Sequence, residues 1–345
     1  MRTIPTPTPA DLKATFEQLA RHSYGDIDGV MCFDSGRDGP TVGITVCTHG
    51  NEPAGLAAVW YYTQVAPLQE QLKKGRVFFV LNNIQATSSF FHATTDIHRR
   101  NARFVDINMN RLPADMPNYQ DPLEYEISRA QQLLPVWAQF DIGLDIHSTS
   151  QPAPPMIVAD HQLDFNLIAG FPIDKLLTNI LHVMKDKSAL EFYGHGKHCH
   201  AIAIETGQHD EAASWATAIT CTKALLHNAG VTNGHDLEKL NEFDHYHVEN
   251  SVFFPDESYE LTKIFANFAA VKRGETLANG QKGAIHAPMD GHVLMCPSHT
   301  KPLSIAEEIL FLSRPVERLS VEGQTHERPA PADDDPRLGI GETSL

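Results

Sequence analysis

One stretch near the N-terminus, residues 41–60 (TVGITVCTHGNEPAGLAAVW), most constrains what this chain can fold into. A β-branched run, Val42 to Val46, stops at small residues, and a segment rich in alanine and leucine begins at Pro53. This order predicts a buried strand, a tight turn and a helix. Turns of this kind lie at the carboxyl edge of an α/β sheet, where ligands bind. The turn contains His49 and Glu52, two potential zinc ligands.

Later segments extend this pattern into an α/β fold. The continuous apolar run from Arg76 to Leu81 is typical of a strand buried on both faces. Strand, helix and strand at this spacing predict a βαβ unit and a parallel sheet. We expect further strands at residues 140–146, 157–159 and 201–205, and helices from residue 11 and at residues 122–139, 171–185 and 212–229.

The residue pattern of the chain changes after about residue 244. Short β-rich segments alternate there with glycine turns, which indicates a small β domain. The end of the chain is rich in proline and aspartate, a composition typical of disorder. We therefore predict a large α/β domain over residues 1–243, a C-terminal β domain over 244–318 and a disordered tail over 319–345.

Composition and charge exclude several classes of function. The formal net charge of -16 argues against nucleic acid and anionic membranes as partners, although a few local arginines can still attract an anionic small molecule. No apolar run reaches the length of a membrane span, and the first residues lack the apolar region of a secretory signal. We expect a cytoplasmic protein. The five cysteines form no CxxC pair, which argues against a disulfide framework or a cysteine zinc site.

The spacing of His49 and Glu52 does not by itself identify a metal site. The same HxxE spacing recurs at His235 and Glu238, and the chain contains 19 histidines, so chance alone can produce such a pair. The second pair follows a glycine and has no preceding strand, and we interpret it as a solvated helix start. For the first pair, a capped helix start is the alternative to metal binding.

Two other predicted strands end in side chains that zinc chemistry needs. The run Leu144 to Ile146 leads into His147, and Ile204 is followed by Glu205. We expect these side chains to meet the HGNE turn, because the carboxyl ends of parallel strands converge. Two histidines and one glutamate are a known catalytic zinc set, and Glu205 remains as a proton carrier. Taken singly, His147 could be only a hydrogen-bonding residue at the sheet edge, and Glu205 only an ion-pair partner.

Two arginines could bind a substrate carboxylate and stabilise the negative charge that develops during hydrolysis. Arg103 and Arg111 bracket the segment FVDINMN. A guanidinium can pair with a carboxylate through two parallel hydrogen bonds, and it can stabilise the oxyanion that forms when water attacks an amide carbonyl. The alternative for both arginines is an ordinary surface charge.

At these positions the chain resembles the succinylglutamate desuccinylase/aspartoacylase family, zinc amidohydrolases related to the metallocarboxypeptidases. A late segment, residues 287–293 (APMDGHV), resembles the C-terminal β domain of this family. The other matches come in the family's order over roughly residues 40–210: HGNE at 49–52, Arg103, DINMNR at 106–111, DIH at 145–147 and ETG at 205–207.

The resemblance implies a fold and a set of roles. The fold would be α/β with a mixed, largely parallel sheet flanked by helices, as in zinc carboxypeptidases, plus a small C-terminal β domain. One zinc ion per chain would be the cofactor. The implied roles are zinc binding by His49, Glu52 and His147, general base and acid for Glu205, polarisation of the scissile carbonyl by Arg103, and binding of a substrate carboxylate by Asn110 and Arg111.

One departure from the family concerns the loop before Glu205. Aspartoacylases have an arginine there that engages a second substrate carboxylate, whereas this loop has histidines and a lysine. We expect a substrate-facing or lid loop with His195 and Lys197 as substrate-binding residues, rather than a second metal site. This departure argues against N-acetylaspartate as the substrate.

Together these features predict a zinc-dependent hydrolase that cleaves the amide bond of an N-acyl amino acid. The partner would be a small, anionic substrate, and a homo-oligomer is compatible with the sequence. One alternative is a metallocarboxypeptidase acting on small peptides, whose cleft need not be covered by a C-terminal domain. The other is a non-catalytic metal-binding protein, against which the intact Glu205 argues. The sequence does not identify the acyl group or the amino acid.

Overall fold

A computed structural model of the chain describes residues 4–159, 163–233, 242–301, 305 and 307–320. The second HxxE pair, His235 and Glu238, lies outside these ranges. The predicted tail also lies outside them, apart from residues 319 and 320, which end the last strand.

The described α-helices are α1 (Pro9–Ala20), α2 (Leu56–Trp60), α3 (Leu68–Gln71), α4 (Ile84–His92), α5 (Asp96–Asn101), α6 (Tyr125–Trp137), α7 (Phe165–Ile168), α8 (Ile180–Val183) and α9 (Ala212–Asn228). Short 3-10 turns occur at Pro53–Gly55, Met116–Asn118 and Ala189–Phe192, and a π-helical turn, Tyr61–Val65, continues α2. No described helix is both long and apolar enough to cross a bilayer.

The described strands are β1 (Ser23–Tyr24), β2 (Ile27–Asp28), β3 (Val30–Asp34), β4 (Thr41–Val46), β5 (Arg76–Leu81), β6 (Ile142–Thr149), β7 (Met156–Ala159), β8 (Lys175–Thr178), β9 (His200–Gln208), β10 (Glu242–Val252), β11 (Glu260–Leu261), β12 (Ala270–Val271), β13 (Thr276–Gly280), β14 (Gly283–His286), β15 (Gly291–Leu294), β16 (Leu310–Ser313) and β17 (Glu317–Ser320).

The main sheet is mixed and mostly parallel in its centre, as predicted. Its strands follow the order β12-β15-β16-β10-β8-β7-β9-β6-β4-β5-β3, and β17 pairs with β10. The strands β5, β4, β6 and β9 are parallel to one another. The same holds for β7, β8 and β10. Antiparallel pairing joins β3 to β5 and β7 to β9. The carboxyl ends of β4, β6 and β9 therefore meet at one edge.

Helices cover both faces of this central sheet. In β5, Val77 and Phe79 pack in the same cluster as residues of α1, α2 and α9. Phe78 and Val80 point the other way and pack with α6. The alternation explains why the predicted strand reads as a continuous apolar run, since both of its faces are buried.

The C-terminal strands have a hydrophobic cluster of their own, formed by buried residues between Val252 and Leu312. They join the main sheet through β10, whose first half pairs with β8 and whose second half pairs with β16. The predicted boundary between residues 243 and 244 falls within this strand. The division into two domains stays a prediction.

The helix that the sequence predicts at residues 171–185 is wrong. The segment forms β8 and the single turn of α8, separated by Asn179 in the left-handed region (φ 68°). Leu176 and Leu177 are buried on opposite faces, in two different clusters. Pairing with β7 and β10 therefore overrides an apolar spacing that also fits a helix.

Candidate metal centre

The turn after β4 holds its side chains in one arrangement because its backbone is packed from two sides. Cys47, fully buried, adopts a left-handed conformation (φ 54°) that redirects the chain at the end of the strand. The N–H of Gly50 donates to the carbonyl oxygen of Arg103 (2.8 Å). A Cβ atom at residue 50 would lie 2.2 Å from the carbonyl carbon of Ala86, so only glycine fits. His49 and Glu52 are consequently presented from a rigid turn.

Three buried side chains, His49, Glu52 and His147, meet beside this turn, and we call them the metal group. His49 and Glu52 come from the turn, and His147 comes from the end of β6. One potential ligand atom from each residue lies within 4.8 Å of the other two. The Nδ1 atoms of His49 and His147 each lie 2.8 Å from a different carboxylate oxygen of Glu52. The structure thus brings together the three residues that the sequence predicts as metal ligands.

The second nitrogen of each imidazole has its own acceptor. His49 donates from Nε2 to Oδ1 of Asn108 (2.9 Å), and His147 donates from Nε2 to Oδ2 of Asp145 (2.9 Å). Such bonds fix the tautomer and leave Nδ1 as the potential ligand atom of each ring. Two imidazole nitrogens, one carboxylate and two outer acceptors match the donor set of catalytic zinc sites.

Asp145 is itself held by a buried set of hydroxyl groups. Its Oδ1 accepts from Thr45 Oγ1 and from Thr48 Oγ1, both at 2.9 Å. The Thr45 hydroxyl also lies 2.7 Å from the Tyr193 hydroxyl. Asn82 donates to Thr48 Oγ1 (2.7 Å). A carboxylate with hydrogen bonds to both oxygens keeps its position when the neighbouring imidazole loses a proton and binds a metal ion instead.

The electrostatics of the metal-free group favour a proton on His147. Burial lowers the pKa of His147, but the carboxylates of Asp145 and Glu52 outweigh burial and raise the pKa well above its usual range. Burial raises the pKa of Glu52, and the two histidines outweigh it and hold that pKa well below the usual range. The pKa of His49 is lowered by burial and by Arg103.

We therefore expect metal binding to displace a proton from His147 and to weaken as the pH falls. Because the pKa of His147 is raised in the metal-free protein, apparent zinc affinity should rise around neutrality by about tenfold per pH unit for each proton that zinc displaces. Calorimetric titration with zinc in two buffers of different ionisation enthalpy measures the protons released. Heats that do not depend on the buffer at pH 7 would contradict this expectation.

Glu205 lies beside the metal group on the neighbouring strand. It is the register partner of His147 in the parallel pairing of β9 with β6. Its Oε2 atom is buried and has no hydrogen-bond partner among the described residues. Burial and the Glu52 carboxylate raise the pKa of Glu205 to about 8. A buried carboxyl oxygen without a partner is the kind of atom that a water molecule or a substrate satisfies.

The two predicted arginines have different positions. Arg103 Nη1 donates to Glu52 Oε1 (2.7 Å), and its side chain is 39% exposed, so it reaches the metal group from the solvent side. Arg111 is next to Asn110, whose Nδ2 lies 3.5 Å from Nε2 of His147. The Arg111 guanidinium donates from Nε to Glu308 Oε2 (2.6 Å). Arg103 and Asn110 thus contact the group directly, whereas Arg111 is paired with another side chain.

The structure does not bring His195 and Lys197 to this group, which corrects the substrate role expected for them. Lys197 donates to Asp141 Oδ1 (2.6 Å), just before β6. In the register of β6 with β9, Ile142 pairs with His200 and His147 with Glu205. Five residues of strand span about 16 Å. Residues 195–199 precede β9 and therefore lie at the amino edge of the sheet, opposite the predicted ligands.

Sequence reasoning missed several residues around the site. Asp145 and Asn108 were part of matched motifs, but their bonds to the two histidines were not foreseen. Glu307 and Glu308, which lie just before β16, gave no signal at all. Glu126 did give a sequence signal, because it is a charged residue on the apolar face of a predicted helix, between positions that face the core.

Glu126 holds the segment between the two arginines. Its buried carboxylate accepts from three consecutive backbone N–H groups, those of residues 105–107, at 2.6 to 3.1 Å. It also accepts from Asn83 Nδ2 (2.8 Å). Four donors on one carboxylate fix the backbone that carries Arg103 on one side and Asn108 on the other.

Replacing Glu126 with alanine should leave these four donors without their buried acceptor. We expect the free energy of unfolding to fall by about 2–4 kcal/mol. Glu124→Ala is the matched control, since Glu124 begins the same helix and its side chain makes no capping bond. Urea unfolding of both metal-loaded variants measures the difference, and equal midpoints would contradict the role of Glu126.

Comparison with known proteins adds an independent observation. The model of the succinylglutamate desuccinylase/aspartoacylase catalytic domain matches residues 38–218, a little over half of the chain. This range includes the predicted ligands, Glu205 and both arginines. The comparison with curated proteins finds no match.

Several solved structures share the fold. Succinylglutamate desuccinylase from Vibrio cholerae superposes with a TM-score of 0.62 at 16% identity, covering 84% of this chain and 85% of that one. Murine aminoacylase 3 gives 0.57 at 19%, covering 83% and 98%. The ectoine utilization protein EutE (DoeB) from Ruegeria pomeroyi gives 0.58 at 20%, covering 83% and 88%. The likeness includes the large mixed sheet and the C-terminal strands.

Proposed function

Because this chain belongs to the succinylglutamate desuccinylase/aspartoacylase family, we propose that it is a zinc-dependent hydrolase that cleaves the amide bond of a small N-acyl amino acid or a derivative of one. The observation that carries the proposal is the buried group of His49, Glu52 and His147, with Glu205 beside it on the next strand. The family is one of deacylases, so the reaction class and the donor set agree.

The donor set supports zinc as the cofactor. The Nε2–H of each histidine donates to a fixed acceptor, Asn108 or Asp145, and the Nδ1 atom of each ring faces the Glu52 carboxylate. The side chains of His49, Glu52 and His147 are all buried. His49, Glu52 and His147 would hold one zinc ion per chain and leave a coordination position open. A zinc ion there supplies Lewis-acid chemistry, which polarises an amide carbonyl and makes water a better nucleophile at neutral pH.

Glu205 is proposed to carry the proton. As a general base it takes a proton from the attacking water, and as a general acid it returns that proton to the nitrogen of the leaving amine. Its pKa of about 8 without metal keeps the carboxyl group close to the balance between its two forms. A neighbouring dication favours the carboxylate, so the pKa of Glu205 in the zinc-loaded protein would be lower than this value.

Arg103 and Asn110 are proposed to orient and stabilise the substrate. The half-exposed guanidinium of Arg103 is fixed at one atom by Glu52, and its other N–H groups can donate to the oxyanion of the tetrahedral intermediate. The Asn110 carboxamide is locked by the Ser188 hydroxyl, which donates to its Oδ1 (2.9 Å). A locked donor beside His147 helps to fix the scissile bond for attack.

Two other functions fit the structure less well. A carboxypeptidase acting on peptides needs an open cleft, whereas Glu307, just before β16, contacts Asn108 beside the metal group. A non-catalytic metal-binding protein does not require a buried carboxyl oxygen that lacks a hydrogen-bond partner among the described residues, as found at Glu205.

Activity of the zinc-loaded protein on N-succinyl, N-acetyl and N-formyl amino acids tests the proposal. Release of the free amine should occur with at least one acyl class and should disappear after chelation and return with zinc. Short peptides with free C-termini form the second panel. Turnover of peptides alone would favour the carboxypeptidase, and turnover of nothing in a protein that retains zinc would refute the proposed function.

A further inference from the structure

The guanidinium of Arg111 is already bound to an internal carboxylate. Its Nε donates to Oε2 of Glu308 at 2.6 Å. The other oxygen, Oε1, accepts from the backbone N–H of Lys185, also at 2.6 Å. The Glu308 side chain is 0% exposed and that of Arg111 is 14% exposed. This is a buried ion pair in which both carboxylate oxygens are satisfied, and it lies one residue from Asn110.

The segment that carries Glu308 is tied to the C-terminal strands. The next residue, Ile309, donates from its N–H to the carbonyl oxygen of Val252 (2.7 Å), and the chain then enters β16. The preceding residue, Glu307, accepts from Asn108 Nδ2 (2.9 Å). Two consecutive carboxylates therefore meet the 108–111 segment from the residues just before β16, a strand that is paired in the main sheet.

The ion pair changes what Arg111 can offer a ligand. A guanidinium neutralised by a buried carboxylate attracts a second carboxylate weakly, and displacing Glu308 would leave a buried charge without its partner, which is costly. A substrate carboxylate bound without displacement would face the Glu308 carboxylate at close range, and like charges repel. A neutral carboxamide or a cationic group meets neither penalty. The formal net charge of -16 acts in the same direction.

We propose that Glu308 determines substrate specificity by occupying Arg111, so that the part of the substrate facing this pair is uncharged or cationic rather than a carboxylate. The proposal rests on the proposed function and narrows its substrate class. The preferred substrates are N-acyl amino acids whose carboxyl group is masked as an amide, or N-acyl compounds with an amine in its place. This differs from the carboxylate-binding role that the family resemblance implies for Arg111.

The test compares two substrates that differ only at the carboxyl group. The probes are an N-acyl amino acid and its carboxamide, with the acyl group found active in the screen, and the released acyl acid is measured. Wild-type zinc-loaded protein should hydrolyse the carboxamide with a kcat/KM at least equal to that of the free acid. Glu308→Gln should shift this ratio towards the free acid by about 10- to 100-fold, because the charge of Arg111 is released.

Glu249→Gln is the matched control. Glu249 pairs with Arg314 at an exposed position in the same half of the chain, away from the metal group. Removing this carboxylate should leave the ratio of the two substrates unchanged. A shift of equal size in this control would assign the effect to the overall charge and overturn the role of Glu308.

The remaining outcomes are also decisive. A wild-type kcat/KM that is higher for the free acid than for the carboxamide, or an unchanged ratio in folded Glu308→Gln, overturns the proposal while the hydrolase function stands. If Glu308→Gln does not fold, the test is inhibition of the wild-type protein by the product amino acid and by its amide. Inhibition by the amide that is at least as strong supports the proposal, and stronger inhibition by the amino acid overturns it. If no substrate is hydrolysed, the hydrolase function fails, and calorimetric binding of the same acid and carboxamide decides the specificity separately.

Discussion

Glu205→Gln should lower kcat by about 10²–10⁴-fold while the protein keeps its zinc. Glutamine preserves the shape of the side chain but cannot accept a proton from water. Glu205 is not one of the three proposed metal ligands, so metal content should stay at the wild-type level. Steady-state kinetics on a substrate from the screen, together with elemental analysis of the same sample, measure both quantities.

The pH profile separates a catalytic role of Glu205 from a structural one. A general base must be deprotonated, so wild-type kcat/KM should fall as the pH drops through the pKa of Glu205, which is about 8 without metal and lower with it. This acid limb should vanish from the residual activity of Glu205→Gln. Glu211→Gln, an exposed carboxylate at the start of α9, is the control. Near-normal turnover of Glu205→Gln would remove Glu205 from the mechanism.

His147→Ala should abolish stable zinc binding. The change leaves only one imidazole and one carboxylate, and it also removes the ring that links Glu52 to Asp145. We expect the zinc content after gel filtration to fall from about one ion per chain to nearly none, because two protein donors rarely retain zinc. Activity should fall with it and should not return at moderate zinc concentrations.

His195→Ala is the matched control for this loss. His195 is an exposed histidine in the loop at the opposite edge of the sheet. Its removal should leave the zinc content intact. Retention of one zinc ion by His147→Ala would exclude His147 as a ligand, and loss of zinc from His195→Ala would contradict the placement of that loop.

The parts of the site that the sequence predicted share one property. His49, His147 and Glu205 each lie at or near the end of a continuous apolar run, and such runs identify buried parallel strands. The rule that parallel strands present their carboxyl ends at one edge then brought residues that are distant in sequence into one group. The parallel centre of the sheet followed from the same runs, whereas its mixed character was implied by the family resemblance.

The parts that failed depend on which segments meet. The 195–200 loop was expected near the substrate because it precedes Glu205 in sequence, but a loop before a strand lies at the far end of that strand. The contact between Arg111 and Glu308 joins residues 197 positions apart. Neither periodicity nor motif spacing in a single sequence contains information about such a pair. The strand β8 was missed because short apolar runs fit a helix or a strand equally well.

The chain of contacts from Glu307 through Asn108 to His49 has a practical consequence for dissecting this protein. Glu307 accepts from the Asn108 amide, and the oxygen of that amide accepts from His49. A shortened protein that ends at residue 243 would therefore lose Glu307, the acceptor that holds the Asn108 amide in place beside the proposed metal ligand His49. Weak metal retention in such a fragment would reflect the truncation, so residues 1–243 should be studied only with the C-terminal strands attached.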